Sequence, residues 1–232
     1  MVDLLNQPFT CVHCNKSFMQ EKTLIAHMCE RKRRVLQRDE KRVQAGFMAF
    51  NRWWQLAQGA KKLKTYEEFC DTGYYNAFVK FGSFLNNVQP LYPEKFVDYV
   101  IKSGVKLDHW CKEDLYVEYL HQYLKKEAVQ DALERALTTM QEYADETNTL
   151  ASFKDYFRYG NGNRICHHIS TGRISPWILY NSASGVDFLS SLSEEQVMIV
   201  LPWIDPDYWN RKFRDYMADT EWVKDILSKA GL

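Results

Sequence analysis

The chain contains 232 residues, of which 46% are hydrophobic and 15% aromatic, so it is long and apolar enough to fold around a substantial core. No apolar run approaches the ~20 residues that a membrane-spanning helix needs, and the N-terminus lacks the charged and apolar regions of a signal peptide. We therefore expect a cytoplasmic protein with no membrane partner. Its 30 basic and 30 acidic residues cancel over the whole chain.

The first thirty residues carry the ligand spacing of a zinc finger. Two residues separate Cys11 from Cys14, and twelve separate Cys14 from His27, as in a ββα finger. Three apolar residues occupy the positions that usually back such a site: Phe9, Phe18 and Leu24. The alternative is that the cysteines are small buried hydrophobic residues. A polar segment this short cannot bury enough core without a metal, however, so we predict bound Zn²⁺.

The fourth ligand departs from the usual finger, because position 31 is Arg where a second His is expected. Cys29 is the predicted replacement. On a continuous α-helix, side chains two residues apart point roughly 200° apart, so His27 and Cys29 cannot meet one ion. We therefore predict a finger over residues 1–30 whose helix is distorted in its last turn.

Residues 31–64 form a predicted basic helix and linker. The ten cations that we assign to DNA-phosphate contact are Arg31, Lys32, Arg33, Arg34, Arg38, Lys41, Arg42, Lys61, Lys62 and Lys64. Like charges in a row repel unless an anion relieves them, which favours this assignment for the arginines. Aromatic residues between the cations allow two interpretations, stacking on exposed bases or packing of one long helix over 31–58 against the body. We favour packing for Phe47, Phe50, Trp53 and Trp54.

Charge is distributed unevenly along the chain. Residues 1–65 contain 13 Lys and Arg against 5 Asp and Glu, whereas the remaining residues contain 17 against 25. A basic front that contacts nucleic acid and an acidic body that contacts proteins is the simplest interpretation. The competing interpretation is an intramolecular contact between the two halves.

Helix signals continue from residue 65 to the C-terminus. A capping box at Thr65 and Glu68 begins a helix to about Phe84, interrupted near Gly73 or Gly82. Further helices are predicted from Pro93 to Gly104, from about Lys112 to Lys125, and from about Ala128 to Asp145. We group these into a first helical lobe over residues 65–148.

A second lobe over residues 149–232 is predicted from shorter helices. They are marked by Phe153 to Phe157, Ile165 to Ser170, Pro176, a capping box at Ser193 and Gln196, Asp205 with Pro206, and Trp222 to Ile226. The predicted fold is therefore mainly α: a small N-terminal ββα-like zinc finger, a long basic helix, and an all-α body of one or two lobes.

Catalytic patterns are weak. Cys166 adjoins His167 and His168, but neighbouring side chains on a helix point about 100° apart and do not converge. We therefore expect no enzyme and no small-molecule substrate. The cysteines outside the finger, Cys70, Cys111 and Cys166, are spaced like reduced intracellular thiols. Tryptophans in the last third have two equal interpretations, interface anchors or core residues.

Four segments of the body share their order, length and aromatic pattern with a known family. They are Tyr75 to Phe84, the helices after Pro93, the run SFKDYFRYGN over Ser152 to Asn161, and the step Ile174 to Pro176. Over about residues 70–228 the chain resembles the replicative-helicase loader of T4-type bacteriophages. The resemblance implies a two-domain helical protein that binds forked and single-stranded DNA and recruits the helicase onto DNA covered by single-strand-binding protein.

That family carries no zinc finger, so residues 1–45 replace or supplement its DNA-binding lobe. We expect a DNA-binding accessory protein of phage replication, in the host cytoplasm, with the replicative helicase and the single-strand-binding protein as candidate partners. One alternative is a zinc-finger transcription regulator or RNA-polymerase-binding protein, which would prefer one duplex sequence. Another is a structural protein-protein adaptor, which would show no salt-sensitive DNA binding.

Overall fold

The computed structural model describes residues 9–147 and 150–232. Of these described residues 73% are helical, and they contain a single two-stranded sheet, which confirms the mainly-α prediction. No helix in the described part is long and apolar enough to cross a membrane. The chain divides into two compact units, residues 1–116 and 117–232.

The first unit begins with the predicted ββα arrangement. Strand β1 (Phe9–Thr10) pairs antiparallel with strand β2 (Ser17–Phe18), with Phe9 opposite Phe18. Helix α1 (Glu21–Ala26) follows and contacts both strands. Residues 1–8 of the predicted finger lie outside the described part of the chain.

The remaining helices of the first unit are α2 (Glu30–Leu36), α3 (Lys41–Gln58), α4 (Tyr66–Cys70), α5 (Tyr75–Val88) and α6 (Pro93–Lys102), followed by a 3₁₀ turn over Leu107–His109. Helix α7 (Glu113–Lys126) begins in this unit. The capping box at Thr65 and the interruption around Gly73 are confirmed. Gly82 lies inside α5.

The single long helix predicted over residues 31–58 is wrong, because the chain turns between α2 and α3. The carbonyl of Arg34 accepts the hydroxyl of Tyr66 at 2.6 Å, while the Arg38 amide bonds instead to the carbonyl of Val35. A tertiary contact from α4 thus takes the acceptor that the next helical turn would need.

Helices α3 and α5 cross closely at two glycines. A Cβ on Gly46 would lie 2.5 Å from the carbonyl oxygen of Phe78, and one on Gly82 would lie 2.0 Å from that of Arg42. Around this crossing the core is aromatic, with fully buried Phe50, Phe69 and Phe78. Packing is therefore the confirmed role of Phe50, whose ring also contacts the rings of Trp53 and Trp54.

The second unit contains α8 (Val129–Thr147), a 3₁₀ turn over Phe153–Asp155, α9 (Tyr156–Tyr159), α10 (Gly162–Ser170), α11 (Pro176–Asn181), α12 (Ala183–Ser190), α13 (Glu194–Ile204), α14 (Pro206–Asp215) and α15 (Met217–Ala230). Sequence patterns did not indicate α12, whose small polar residues give little periodicity. Trp177 and Trp209 are buried in its core, so for these two the core interpretation is correct.

Helix α8 packs with the second unit, whereas the sequence placed it in the first lobe. Its buried Ala132, Ala136 and Met140 share one core with Ile165 and Trp177. The predicted lobe boundary at residues 148 and 149 itself lies outside the described residues. The observed division instead falls at Tyr116, within α7.

Candidate metal centre

The helix distortion predicted between His27 and Cys29 is confirmed. Helix α1 ends at Ala26, and both His27 (φ −69°, ψ 123°) and Cys29 (φ −80°, ψ 163°) have extended backbones. Cys29 then serves as the N-cap of α2. This helix break lets two side chains only two residues apart point to one centre.

A tight turn positions the first two cysteines. The Cys11 amide donates to the carbonyl of Lys16 at 2.9 Å, and the Asn15 amide donates to the carbonyl of Cys11 at 2.8 Å. Asn15 adopts the left-handed conformation with φ 57°, which asparagine tolerates better than most residues. The turn brings the Cys11 and Cys14 thiols to the same side as His27.

The four side chains lie close enough to hold one metal ion. Their ligand atoms are all within 4.8 Å of one another, with Cys11 Sγ 4.0 Å from Cys29 Sγ and Cys14 Sγ 3.2 Å from His27 Nε2. A tetrahedral zinc site has edges of about 3.8 Å between sulfurs and about 3.6 Å between sulfur and nitrogen, from bond lengths near 2.3 and 2.0–2.1 Å. The observed spacing fits a metal of this size.

The pKa values of the first two cysteines are shifted in opposite directions. The hydrogen bond with the backbone of Lys16 acts to lower the pKa of Cys14, but burial and the neighbouring thiols of Cys11 and Cys29 outweigh it and raise that pKa. Burial acts to raise the pKa of Cys11, but hydrogen bonds involving the backbone of His13 and Cys14 outweigh it and lower that pKa. The amide of Lys32 donates to Cys29 Sγ at 3.4 Å from the first turn of α2.

Helix α2 connects the metal centre to the helices that follow. Arg31 pairs with Asp71 at 2.9 Å and donates to the carbonyl of His13 at 3.4 Å. Lys32 Nζ donates to the carbonyl of His27 at 3.1 Å. Two of the predicted phosphate-binding cations therefore have partners inside the first unit, while Arg31 stays half-exposed.

Arg34 differs from the predicted role in phosphate contact. Its guanidinium donates to the carbonyl of Cys70 at 2.6 Å, pairs with Glu30, and lies over the ring of Tyr75. Only 13% of its side chain is exposed. The repulsion among the four consecutive cations is relieved by Glu30 and Asp71, so nucleic acid is not needed for that purpose.

The other predicted cations fall into two groups. Arg42 pairs with Glu40, and Lys64 pairs with Glu68 while lying 4.9 Å from the ring of Trp54. Five others are exposed and have no ion-pair partner among the residues that the structure describes: Arg33, Arg38, Lys41, Lys61 and Lys62. Arg38 also lies over the ring of Tyr66 at 5.3 Å, so the other four have the most freedom to contact an external anion.

Sequence reasoning passed over Lys16 and Lys22, two further exposed cations on the finger itself. Their positions in the sequence between Cys14 and His27 could have indicated that they lie on the finger. Counting from Glu21 as the first helical residue, the positions that read bases in DNA-binding fingers are Gln20, Thr23 and Ala26. Ala26 has no hydrogen-bonding side chain.

The cysteine and histidines of the second unit have separate environments. Cys166 is buried, His167 is exposed, and His168 is buried between Tyr156 and Arg164. The Tyr156 hydroxyl lies 2.7 Å from His168 Nδ1, and Arg164 Nε donates to Nε2 at 3.0 Å. Both ring nitrogens of His168 are therefore engaged in structural hydrogen bonds.

Comparison with known proteins finds no significant match, whether to a family model, to a characterised sequence or to a solved structure.

Proposed function

We propose that this protein is a zinc-stabilised DNA-binding accessory protein that brings a protein partner to DNA. The observation that carries the proposal is a group of exposed cations on the basic front of a chain whose remainder is acidic. Within the described part of the chain none of them has an ion-pair partner: Arg33, Arg38, Lys41, Lys61 and Lys62. Such cations release counterions from a phosphate backbone, which gives salt-dependent affinity that is largely independent of sequence.

Zinc is the proposed metal because three thiols and one imidazole are its preferred donor set. When bound, the ion supplies structure and no chemistry, since four protein ligands leave no open coordination position. The residues Cys11, Cys14, His27 and Cys29 would hold it and thereby fix the finger on α2.

Backbone contact is favoured over base recognition for the finger. Of its base-reading positions, only Gln20 and Thr23 can hydrogen-bond to a base, and a single finger covers about three base pairs. This argues against a transcription regulator that selects one duplex site.

The resemblance of the body to the T4-type helicase loader supports a specific form of the proposal. In that form the protein binds forked or single-stranded DNA and loads the replicative helicase onto strands covered by single-strand-binding protein. Helicase unwinding of a coated fork, measured with and without this protein, tests it, and no stimulation at any protein concentration would contradict it.

DNA binding is tested by fluorescence anisotropy with forked, single-stranded and duplex DNA of equal length at several salt concentrations. Combined alanine substitution of Arg33, Lys41, Lys61 and Lys62 should weaken the salt dependence of binding. On single strands the negative slope of log affinity against log salt should become less steep by about 3. The matched control replaces four exposed cations of the second unit, Lys126, Lys154, Arg158 and Arg211. Equal slopes for the two variants would contradict the assignment.

One observation favours the adaptor as a second candidate. The finger exposes several apolar side chains, with Val12 at 84%, Met19 at 73% and Ile25 at 71%. Exposed apolar residues on a finger suit protein contact. Weak, salt-insensitive binding to all three DNAs would favour this function over the first.

A further inference from the structure

From Val197 to its C-terminal end, helix α13 is apolar around its whole circumference, yet much of this part faces solvent. Residues 197–204 form an uninterrupted apolar run, VMIVLPWI. Val200 and Ile204 are buried, but Met198 is 76% exposed and Ile199 is 51% exposed. A helix that is hydrophobic on all sides is normally buried on all sides, so this exposure indicates a surface that another molecule covers.

A groove of about 350 Å³ runs beside one face of α13, on which Leu201 is 45% exposed and Val197 is 38% exposed. Its walls are Val186 and Leu189 from α12 and Val197 and Leu201 from α13, and Pro206 lies at one end. All of these residues belong to the second unit. The groove is therefore an apolar channel between two helices, open to solvent on one side.

The chain around this groove carries charge of one sign. Between Ser182 and Trp209 the sequence contains five acidic residues and no Lys or Arg. Glu194 and Glu195 occupy the first turn of α13, Asp205 and Asp207 follow its last turn, and Asp187 lies beside Val186 on α12. All five are exposed. Four of them lie at helix starts and Asp187 lies within α12, and all five leave their charge available to a ligand lying along the groove.

We propose that the groove between α12 and α13, hereafter the α12–α13 groove, binds a short amphipathic helix of a partner protein. The bound helix has an apolar stripe at positions i, i+3, i+4 and i+7, and it is rich in Lys and Arg on its flanks. Its stripe fills the groove and its cations face the five carboxylates. The 11 residues of α13 span about 16 Å, enough for roughly three turns of the bound helix.

This inference rests on the partner-recruiting half of the proposed function and is independent of DNA binding. The probe is a fluorescent 18-residue peptide of leucine and lysine with leucines on one helical stripe, titrated with the full-length protein. A peptide of the same composition but scrambled order, without a stripe, should bind at least tenfold more weakly. Raising the salt concentration should weaken the striped peptide further.

Substitutions on the protein locate the binding site. Leu201→Glu should weaken peptide binding at least tenfold, and Val197→Glu should do the same, because both residues line the groove. Met217→Glu, which introduces the same charge at a methionine that is 66% exposed on α15, should leave it unchanged. Circular dichroism checks that each variant is folded, and unchanged DNA affinity of Leu201→Glu separates a failure here from a failure of the proposed DNA binding.

Equal binding of the striped and scrambled peptides, or equal binding by Leu201→Glu and Met217→Glu, would overturn the proposal. Sedimentation tests whether a second copy of the chain occupies the groove instead. Self-association that Leu201→Glu removes and Met217→Glu retains would assign the groove to that second copy.

Discussion

Arg33 and Arg34 are neighbours in the sequence but have opposite environments. Arg33 is exposed, whereas the guanidinium of Arg34 is bonded to the carbonyls of Cys70 and Thr72. Arg34→Ala should therefore lower the free energy of unfolding of the first unit by about 1.5–3 kcal/mol, because buried hydrogen bonds to a charged donor are lost. Urea denaturation measures this change.

The same substitution at Arg33 is the matched control. Arg33→Ala should change stability by less than about 0.5 kcal/mol while reducing DNA affinity. If the two variants were equally destabilised, the packing role of Arg34 would be incorrect.

His168 should make the second unit sensitive to acid. Burial, followed by the nearby charges of Arg164 and Arg173, lowers the pKa of His168 to about 4. Since Arg164 donates to Nε2, that nitrogen carries the lone pair and Nδ1 carries the proton of the neutral ring. The unfolded state, with a pKa near 6.5, binds the extra proton more readily, so stability is full above about pH 6.5 and falls as the pH drops towards 4.

Denaturation midpoints between pH 7 and pH 4 test this expectation against two variants. His168→Gln should lose part of the pH dependence, whereas His167→Gln, at an exposed neighbour, should keep it. Identical pH profiles for all three proteins would exclude His168 as the titrating group.

At the scale of elements, the crossing of α3 and α5 depends on two glycines. A Cβ at Gly82 would meet the carbonyl of Arg42 at 2.0 Å, and backbone cannot rotate away as a side chain does. Gly82→Ala should destabilise the first unit by about 3 kcal/mol or more, since overpacking alone costs about 1–3 kcal/mol.

Gly73→Ala is the control for that substitution, because nothing lies within 4 Å of a Cβ at Gly73. Its unfolding midpoint in urea should stay close to that of the unaltered protein. A comparable loss of stability in Gly82→Ala and Gly73→Ala would mean that the close helix crossing is not what constrains position 82.

At the scale of the whole molecule, we expect that the finger can unfold while the two helical units stay folded. Cys11→Ser removes one of the four clustered ligands, and without the metal the short strands β1 and β2 have too little buried surface to persist. A colorimetric zinc assay should show loss of the metal, while circular dichroism should retain most of the helical signal. Cys111→Ser, at a cysteine far from the centre in sequence, should keep the metal; cooperative loss of all helicity in Cys11→Ser would contradict a separable finger.

Local sequence was sufficient for features that depend on a few neighbouring residues. The spacing of Cys11, Cys14, His27 and Cys29 predicted their clustering and also the helix break, since helical geometry forbids two ligands two residues apart. The boxes at Thr65 and Ser193 identified helix starts for the same reason: both partners of a capping box lie within one turn.

Tertiary structure alone decided which charged and apolar side chains remain free. Sequence could not show that Arg34 is buried, because its partners Cys70 and Tyr75 lie in other helices. It also could not show that Tyr66 ends α2, that α8 packs with the second unit, or that Met198 faces solvent. Composition and short-range spacing determined the helical class and the clustering of the four candidate metal ligands. Burial depends instead on which elements pack together, and contacts between residues distant in sequence decide that.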